Sequence, residues 1–164
     1  MALNPEQQDS IQLIGFNAGG KLYAVDILTI REILRDLTIE PIPKAPPFIE
    51  GIIRIRGEVI PVINLQKRLG KDASAGATDR NWALVAMVGD RVIAFLVDSV
   101  TRILKISTDS IMPAPELILS GLRRQYLKGV CNTELGMLVV LDLNRMLGND
   151  EIKEMKKLSI HQPL

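Results

Sequence analysis

The sequence predicts a mainly β protein made of two related β-rich lobes, and three observations support this prediction. Short apolar runs that alternate with polar residues are separated by glycine-rich turns, as in residues 11–27, which is typical of antiparallel strands joined in hairpins. Four prolines fall within residues 39–51 and exclude a continuous helix there. Residues 129–148 align without a gap on residues 51–70, which indicates an internal duplication.

The first hairpin is predicted by "IQLIGF" (11–16) and "KLYAVDI" (21–27), with the turn "NAGG" between them. The same stretch comes within one residue of the phosphate-binding pattern G-x-x-x-x-G-K-[ST], but Leu22 replaces the hydroxyl that would bind Mg²⁺. The residues that follow alternate like a strand and do not start the helix that would hold a phosphate. A hairpin turn therefore explains these glycines better than a nucleotide site does.

The stretch "GIIRIRGEVIPVINL" (51–65) predicts a second hairpin. Gly57 and Glu58 can take the first and second places of a type II′ turn, because glycine tolerates the positive φ that this turn requires. Pro61 has no backbone N–H to donate, so its strand is expected at a sheet edge or at a bulge.

Two arginines interrupt the apolar first arm of this hairpin. Arg54 and Arg56 are two residues apart, and in a strand both guanidinium groups would lie on one face, with Ile53 and Ile55 on the other. Such a pair is either solvated or ion-paired locally, or it is part of a contact surface.

Short helices are predicted where a polar cap precedes apolar residues. Asn64 is a candidate N-cap and Gly70 a C′ stop, and Asp142 takes the place of Asn64 in the second half. The predicted plan of the chain is a flexible tail over residues 1–10, one domain over 11–148 with halves at about 11–70 and 82–148, and a C-terminal helix and tail over 149–164.

The charge balance gives no support for a polyanionic partner. The chain has 20 basic and 19 acidic side chains and a formal net charge of +1, so no long-range field draws it toward nucleic acid or anionic lipid. A nucleic-acid-binding β-barrel would need a basic stripe beside exposed aromatic rings. That function is therefore the less favoured alternative.

Residues that carry catalysis or hold metals are sparse. His161 is the only histidine, so neither a Ser-His-Asp triad nor a histidine metal site is predicted. Cys131 is the only cysteine and is expected to be a buried, inert thiol. Carboxylates such as Asp98 are expected in loops or at solvated positions. The longest apolar run, residues 82–88, is too short to span a membrane. We expect no enzyme activity, no cofactor and no metal.

Three segments, taken in order, resemble the CheW family of chemotaxis coupling proteins. They are "AVDILTIREIL" (24–34), "PIPKAPPFIEGIIRIRGEVIPVINLQKRLG" (41–70) and "IMPAPELIL…YLKGV…GMLVVLDLNRML" (111–147). The resemblance covers about residues 11–148. No kinase, phosphotransfer or receiver segment fits in the remaining residues, so a stand-alone adaptor is favoured.

This resemblance implies a fold of two interwoven five-stranded barrels of Src-homology-3-like type around a shared apolar core. It implies a protein without catalytic activity that bridges the cytoplasmic tips of methyl-accepting chemoreceptors to the regulatory domain of the histidine kinase CheA. The kinase is expected to meet exposed apolar positions at the barrel ends of both lobes. The implied location is cytoplasmic, at membrane-associated receptor arrays, with no nucleic acid partner and no direct membrane insertion.

The resemblance also implies a receptor-binding surface. Arg56 corresponds to the arginine of the family's Asn-Leu-Arg-Gly turn, and Glu32 corresponds to the glutamate of its Val-x-Glu-Ile segment. The nearby isoleucines would contact the receptor helix while the charged pair fixes its register, although ordinary core packing also suits the isoleucines. The candidate receptor-binding residues are Ile27, Ile30, Glu32, Ile33, Arg54, Arg56 and Gly57.

One residue departs from the family pattern. Arg54 stands where the family has asparagine, and a bulky cation there would either reshape the groove or add an ionic contact. The receptor class is therefore left open, and a paralogue that scaffolds a non-flagellar sensory array is the alternative.

Overall fold

The structure is a computed structural model that describes residues 9–69, 82–115 and 124–160. Within these ranges ten strands and two helices are present. The strands are β1 (Ser10–Ala18), β2 (Lys21–Asp26), β3 (Ile30–Arg35), β4 (Ile49–Ile55), β5 (Glu58–Asn64), β6 (Trp82–Val88), β7 (Arg91–Val97), β8 (Ser99–Ser107), β9 (Leu127–Thr133) and β10 (Gly136–Leu141), and the helices are α1 (Leu65–Arg68) and α2 (Asn149–Ile160).

The strands form two five-stranded sheets that exchange segments of the chain. Sheet I has the order β8-β1-β2-β10-β9, and sheet II has the order β3-β6-β7-β5-β4. The chain therefore starts in sheet I, crosses to sheet II after Asp26, and returns after Asp98. The predicted mainly β class with two interwoven five-stranded units is confirmed.

The two sheets repeat one plan. If β1 to β5 are replaced by β6 to β10, and the reverse, the strand order of sheet I becomes that of sheet II. The parallel ladders agree with this exchange, because Val62 lies opposite Ala94 and Val140 lies opposite Ala24. The predicted domain limits stay a prediction, because the connection at residues 70–81 and the tail at 1–8 lie outside the described residues.

Two-residue loops close the predicted hairpins, and one of them differs from the prediction. Gly19 and Gly20, at φ 61° and 80°, join β1 to β2. Between β4 and β5 the loop residues are Arg56 (φ 48°) and Gly57 (φ 80°). The predicted type II′ turn at Gly57–Glu58 is wrong, because positive φ at both loop residues defines a type I′ turn and Glu58 is already paired in β5.

Of the two positions predicted for Pro61, an edge or a bulge, the edge is wrong, and a register shift in the β4–β5 ladder lies close by, between Ile49 and Gly51. The strand of Pro61, β5, lies between β4 and β7. Pro61 is opposite Ile52 of β4, while the ladder to β7 begins only at Val62. The missing N–H therefore falls where β7 offers no paired residue, and the proline is tolerated inside the sheet.

Buried side chains cover both faces of each sheet. One cluster fills the space between the sheets and includes Phe16, Tyr23 and Phe95. Two smaller clusters line the other faces, one in each sheet. Cys131 is in the cluster of sheet I, where it is buried, and this burial raises the pKa of its thiol. The thiol therefore has the inert environment that the sequence predicts.

The predicted caps are confirmed. The Asn64 side chain accepts a hydrogen bond from the backbone N–H of Lys67 at 3.3 Å, and the Asp142 side chain accepts one from Asn144 at 3.0 Å. Gly70, the predicted helix stop, lies outside the described residues. The terminal helix is confirmed as α2, and Met155 of this helix is buried in the cluster between the sheets.

Asp98 lies in the connection between β7 and β8, as the sequence predicts, but it is partly buried and not fully solvated. It lies at the crossover between the sheets, accepts a hydrogen bond from the backbone N–H of Gly19 at 2.9 Å, and is contacted by the Gln66 side chain. Partial burial raises the pKa of its carboxyl, against the opposing effect of backbone hydrogen bonds from Gly19 and Gly20.

Candidate functional site

Most of the candidate residues lie at the two edges of sheet II, which side-chain ion pairs bridge. Strands β3 and β4 are the edges of this sheet, yet Glu32 of β3 contacts Arg56 of the β4–β5 turn. We call this junction between β3 and the β4–β5 hairpin seam II. The corresponding junction of sheet I, between β8 and the β9–β10 hairpin, is seam I.

The charged pair that the sequence singles out is assembled at seam II. Arg56 Nη2 donates to Glu32 Oε2, and the arginine side chain is largely exposed whereas the glutamate is mostly covered. Positive φ at Arg56 and Gly57 turns the chain so that the guanidinium reaches back toward β3. A pair this exposed contributes only about 0–1 kcal/mol to stability, so its charges remain available to a partner.

A second ion pair crosses the same junction. Arg31 Nη1 lies 3.5 Å from Glu58 Oε2, and both side chains are about half exposed. Neighbouring residues of β3 therefore reach the same hairpin with opposite charges, Arg31 to Glu58 and Glu32 to Arg56. The surface of seam II is charged but locally balanced.

Arg54 has a different partner from Arg56. Its Nε donates to both carboxylate oxygens of Glu40, at 3.1 Å and 3.2 Å. Glu40 is fixed by two backbone hydrogen bonds with Ile52, of 2.9 Å and 2.8 Å. The prediction that the two guanidinium groups share one strand face is wrong, because Arg54 is in β4 whereas Arg56 is in the turn.

The three candidate isoleucines differ in exposure. Ile27 and Ile30 are half-buried against the cluster between the sheets, whereas Ile33 is 39% exposed on β3. Core packing therefore accounts for much of the surface of Ile27 and Ile30, as the sequence allows, and Ile33 is the most accessible of the three.

An apolar residue that sequence reasoning missed lies beside Ile27. Leu28 is 89% exposed in a 3₁₀ turn that the Asp26 carboxylate caps by accepting from the Leu28 N–H at 2.9 Å. It borders a groove of about 600 Å³ between this turn, the start of β1 and the end of β8. The available signal was an apolar residue two positions after a capping aspartate.

Seam I carries the same kind of pair with its charges reversed. Arg102 of β8 lies 3.1 Å from Glu134 of the β9–β10 turn. When residues 90–104 are aligned on 20–34, Arg102 falls on Glu32, and the alignment of 129–148 on 51–70 places Glu134 on Arg56. Sequence reasoning missed this reversed counterpart, although the two alignments contain it.

Among the described residues, exposed large apolar side chains are more numerous on sheet I than on sheet II, where Ile33 and Met87 are exposed. On sheet I the large exposed hydrophobic residues include one on β8, one in the segment that pairs with β9, and two in or after the β9–β10 turn. They are Ile103 at 54%, Met112 at 48%, Leu135 at 40% and Met137 at 46% exposure. We call these four residues the sheet I apolar set.

No cluster of three or more metal-ligating side chains occurs in the described parts of the chain. A search of the same residues finds no helix with the length and apolar character needed to cross a membrane. The features that the structure does bring together are surface ion pairs and exposed apolar side chains on a rigid β framework. Fold and site together define a mainly β module of Src-homology-3-like architecture with charged and apolar surfaces.

Comparison with known proteins identifies the family. The model of the CheW-like domain matches residues 12–151, so this chain belongs to the CheW-like domain family. It is similar to the Chemotaxis protein CheW of Treponema pallidum, at 32% identity over 161 residues, covering 96% of this chain and 92% of the relative. The Chemotaxis protein CheW of Rhizobium meliloti is 36% identical over 140 residues, or 85% and 89% of the two chains.

A solved structure supports the same assignment. The crystal structure of the scaffolding protein TtCheW from Thermoanaerobacter tengcongensis matches with a TM-score of 0.76 and 28% identity, and covers 86% of this chain and 94% of that one. The family resemblance predicted from the sequence is confirmed, and with it the assignment to chemotaxis scaffold proteins.

Proposed function

We propose that this protein is a non-catalytic adaptor that couples the cytoplasmic tips of methyl-accepting chemoreceptors to the histidine kinase CheA. The family assignment and the names of the relatives support an adaptor role in chemotaxis. The single observation that carries the finer proposal is the Glu32–Arg56 pair, which is exposed, assembled from distant parts of the chain, and adjacent to the accessible Ile33. The place of action is then the cytoplasm, at receptor arrays.

The receptor-binding surface in this proposal is seam II with its neighbouring isoleucines. Ile33 supplies apolar contact to a receptor helix, with Ile27 and Ile30 at the margin of that contact. Arg56 and Glu32 set the register of the helix through charge-assisted hydrogen bonds. The role of Gly57 is indirect, because it holds the turn that orients Arg56.

Arg54 has a defined place in the same surface. Its pairing with Glu40 ties the guanidinium to the connector between β3 and β4. A receptor that meets this surface encounters an arginine that is already paired with Glu40. This favours a receptor class that differs at the contacting position from those served by members with asparagine there, and it keeps a non-flagellar array as the second candidate.

The kinase-binding surface in this proposal is the sheet I apolar set. Methionine and leucine side chains at 40–48% exposure suit a contact with an apolar surface of the CheA regulatory domain. Because seam I and seam II lie on different sheets, one molecule could engage receptor and kinase at the same time.

The test separates the two surfaces with matched variants. Calorimetric titration into the CheA regulatory domain from the same source, at two salt concentrations, is expected to give one-to-one binding with a negative heat-capacity change. Met137→Ser is expected to weaken this binding about tenfold, while Arg56→Ala leaves it unchanged. Arg56→Ala is instead expected to reduce recruitment to receptor-containing vesicles while folding stays intact.

Two results would contradict the proposal. If the wild-type protein binds no CheA regulatory domain, the coupling role is wrong although the fold assignment stands. If Arg56→Ala stays folded and is recruited to receptor-containing vesicles as well as wild type, seam II is not the receptor-binding surface.

A further inference from the structure

Arg68 is a mostly buried arginine between the two halves of the chain, at the end of α1. Its Nε donates to the carbonyl oxygen of Met146 at 2.7 Å. Its Nη1 donates to Glu151 Oε2 at 2.6 Å, and Nη2 donates to the other oxygen of the same carboxylate. The side chain is only 15% exposed, so this planar fork with three donors in use is largely shielded from water.

Two aromatic rings flank the same guanidinium. Its central carbon lies 5.8 Å from the ring centroid of Phe48 and 6.0 Å from that of Tyr126. Both distances are within the range of a cation–π attraction. Phe48 immediately precedes β4 of sheet II, whereas Tyr126 immediately precedes β9 of sheet I.

The internal duplication explains this arrangement. The alignment of 129–148 on 51–70 places Met146 on Arg68, and continuing it three residues upstream places Tyr126 on Phe48. Arg68 therefore contacts its own counterpart and lies between two counterpart rings. The two halves of the chain are therefore related by a local twofold at this point, and the Arg68 side chain lies there.

The same arginine holds the terminal helix. Glu151, its carboxylate partner, is in the first turn of α2 and also accepts from the Gly148 N–H at 2.9 Å. Met155, one turn further on, is buried in the cluster between the sheets, and Ile152 packs against that cluster. Detachment of α2 would therefore uncover the apolar surface that both sheets share.

We propose that Arg68 sets the orientation of sheet I relative to sheet II and couples that orientation to the docking of α2. The inference concerns the framework and does not depend on which partners the protein has. Lysine cannot replace this residue fully, because an ammonium group cannot present the fork that meets a carboxylate and a carbonyl together.

Hydrogen exchange measured by mass spectrometry tests the coupling to α2. In Arg68→Met, which installs the residue found at the counterpart position, the amides of α2 are expected to exchange at least tenfold faster than in wild type, while β6 and β7 change little. Glu151→Gln is expected to shift α2 in the same direction. Lys67→Met is the matched control, since Lys67 is the preceding residue and pairs on the surface with Glu50 at 2.5 Å.

The possible outcomes decide the question. Equal acceleration in all segments, or unchanged α2 exchange in Glu151→Gln, would show that Arg68 contributes only to global stability and would overturn the proposal. If Arg68→Met does not fold, Glu151→Gln decides, because it keeps the rings and the Met146 contact of Arg68.

Electron–electron distance measurements test the coupling of the sheets. Spin labels at Asn132 in sheet I and Asp90 in sheet II, both exposed, can be placed in a Cys131→Ala background. Arg68→Lys is expected to broaden the distance distribution relative to the same labels with Arg68 present. An unchanged width would show that the packing between the sheets alone fixes their orientation.

Discussion

Seam I and seam II share a backbone plan and differ in surface chemistry. In each, one ion pair joins an edge strand to the turn of the opposite hairpin, with Glu32 and Arg56 in seam II and Arg102 and Glu134 in seam I. The polarity of the pair is reversed between them. The duplicated framework therefore brings two oppositely charged side chains together at each junction, and either partner can be the acid.

Away from this pair, the two surfaces diverge. In seam II, Arg54 pairs with Glu40, whereas the counterparts in sheet I are Asn132, by the same alignment, and the exposed Met112. Both connector residues make the same backbone bridge, Glu40 to Ile52 and Met112 to Val130. One seam has thus become charged and the other apolar over a conserved backbone contact.

This difference suggests that the two seams have separated their tasks. Exposed ion pairs contribute little to stability, and half-exposed apolar side chains contribute less by burial than core side chains do. Either surface can therefore change without loss of the fold, and a duplicated domain can present a charged contact surface and an apolar one at the same time.

The largest expected effect tests the shared backbone plan. A Cβ at Gly51 would lie 2.3 Å from the Glu40 carbonyl oxygen, and a Cβ at Gly129 would lie 2.5 Å from that of Met112. Gly51→Ala and Gly129→Ala are each expected to cost about 3 kcal/mol in urea unfolding, because backbone must move. Gly20→Ala, in open space, is the control with a loss of about 1 kcal/mol. A large loss at only one of the two bridge glycines would show that the seams are built differently.

A smaller effect is expected in the turns. Gly57→Val is expected to cost about 1–2 kcal/mol, because a β-branched residue is strained at positive φ. The counterpart change Leu135→Val is expected to stay within about 0.5 kcal/mol, since Leu135 does not have positive φ. The melting midpoints of both variants measure this, and an unchanged midpoint for Gly57→Val would refute the assigned turn.

Exchanging the charges of seam II tests whether the framework specifies which partner of the ion pair is the acid. Glu32→Arg and Arg56→Glu are each expected to cost up to about 1 kcal/mol through like-charge contact. The double variant, which has the polarity of seam I, is expected to regain most of that loss. Denaturant unfolding of the four proteins gives the coupling energy. A double variant no more stable than the single ones would mean that the framework does specify the acid.

The smallest effect concerns the crossovers between the sheets. The raised pKa of Asp98 means that the folded state holds its proton more tightly than the unfolded state, whose carboxyl titrates near the ordinary value of 3.8. Stability relative to Asp98→Asn is therefore expected to rise as the pH falls through the raised pKa toward 3.8, and to be lower above it. Thermal melting between neutral and mildly acidic pH measures the difference, with Asp26→Asn at the other crossover as control. If the stability of wild type relative to Asp98→Asn instead rises with pH, the direction of the pKa shift is wrong.

Much of the fold could be predicted from local sequence. The two predicted hairpins follow from alternation and from the glycines in their turns, and the caps at Asn64 and Asp142 follow from side-chain chemistry within three residues. The edge position predicted for Pro61 is wrong because the chemistry of one residue does not show where the hydrogen-bonded ladder to a neighbouring strand begins. The turn at Arg56 was misplaced by one residue for a related reason, since cross-strand register is set by the whole sheet.

Less of the candidate site could be predicted. Glu32 and Arg56 were singled out through the family resemblance, and the structure places them in contact. Whether they meet a receptor stays a proposal. Arg54 was grouped with Arg56 by spacing alone, and its partner Glu40 became visible only when the connector was seen to bridge Ile52.

The sequence by itself determined the β character, the duplication, the caps and the family, because these depend on patterns within short stretches or on motifs in order. Tertiary structure alone decided which strands of each half enter which sheet, which charges pair across each seam, that sheet I exposes an apolar set, and that Arg68 lies between the halves. The physical reason is that strand exchange and side-chain pairing depend on contacts between residues far apart in the chain, such as Arg68 and Glu151, and no local pattern specifies them.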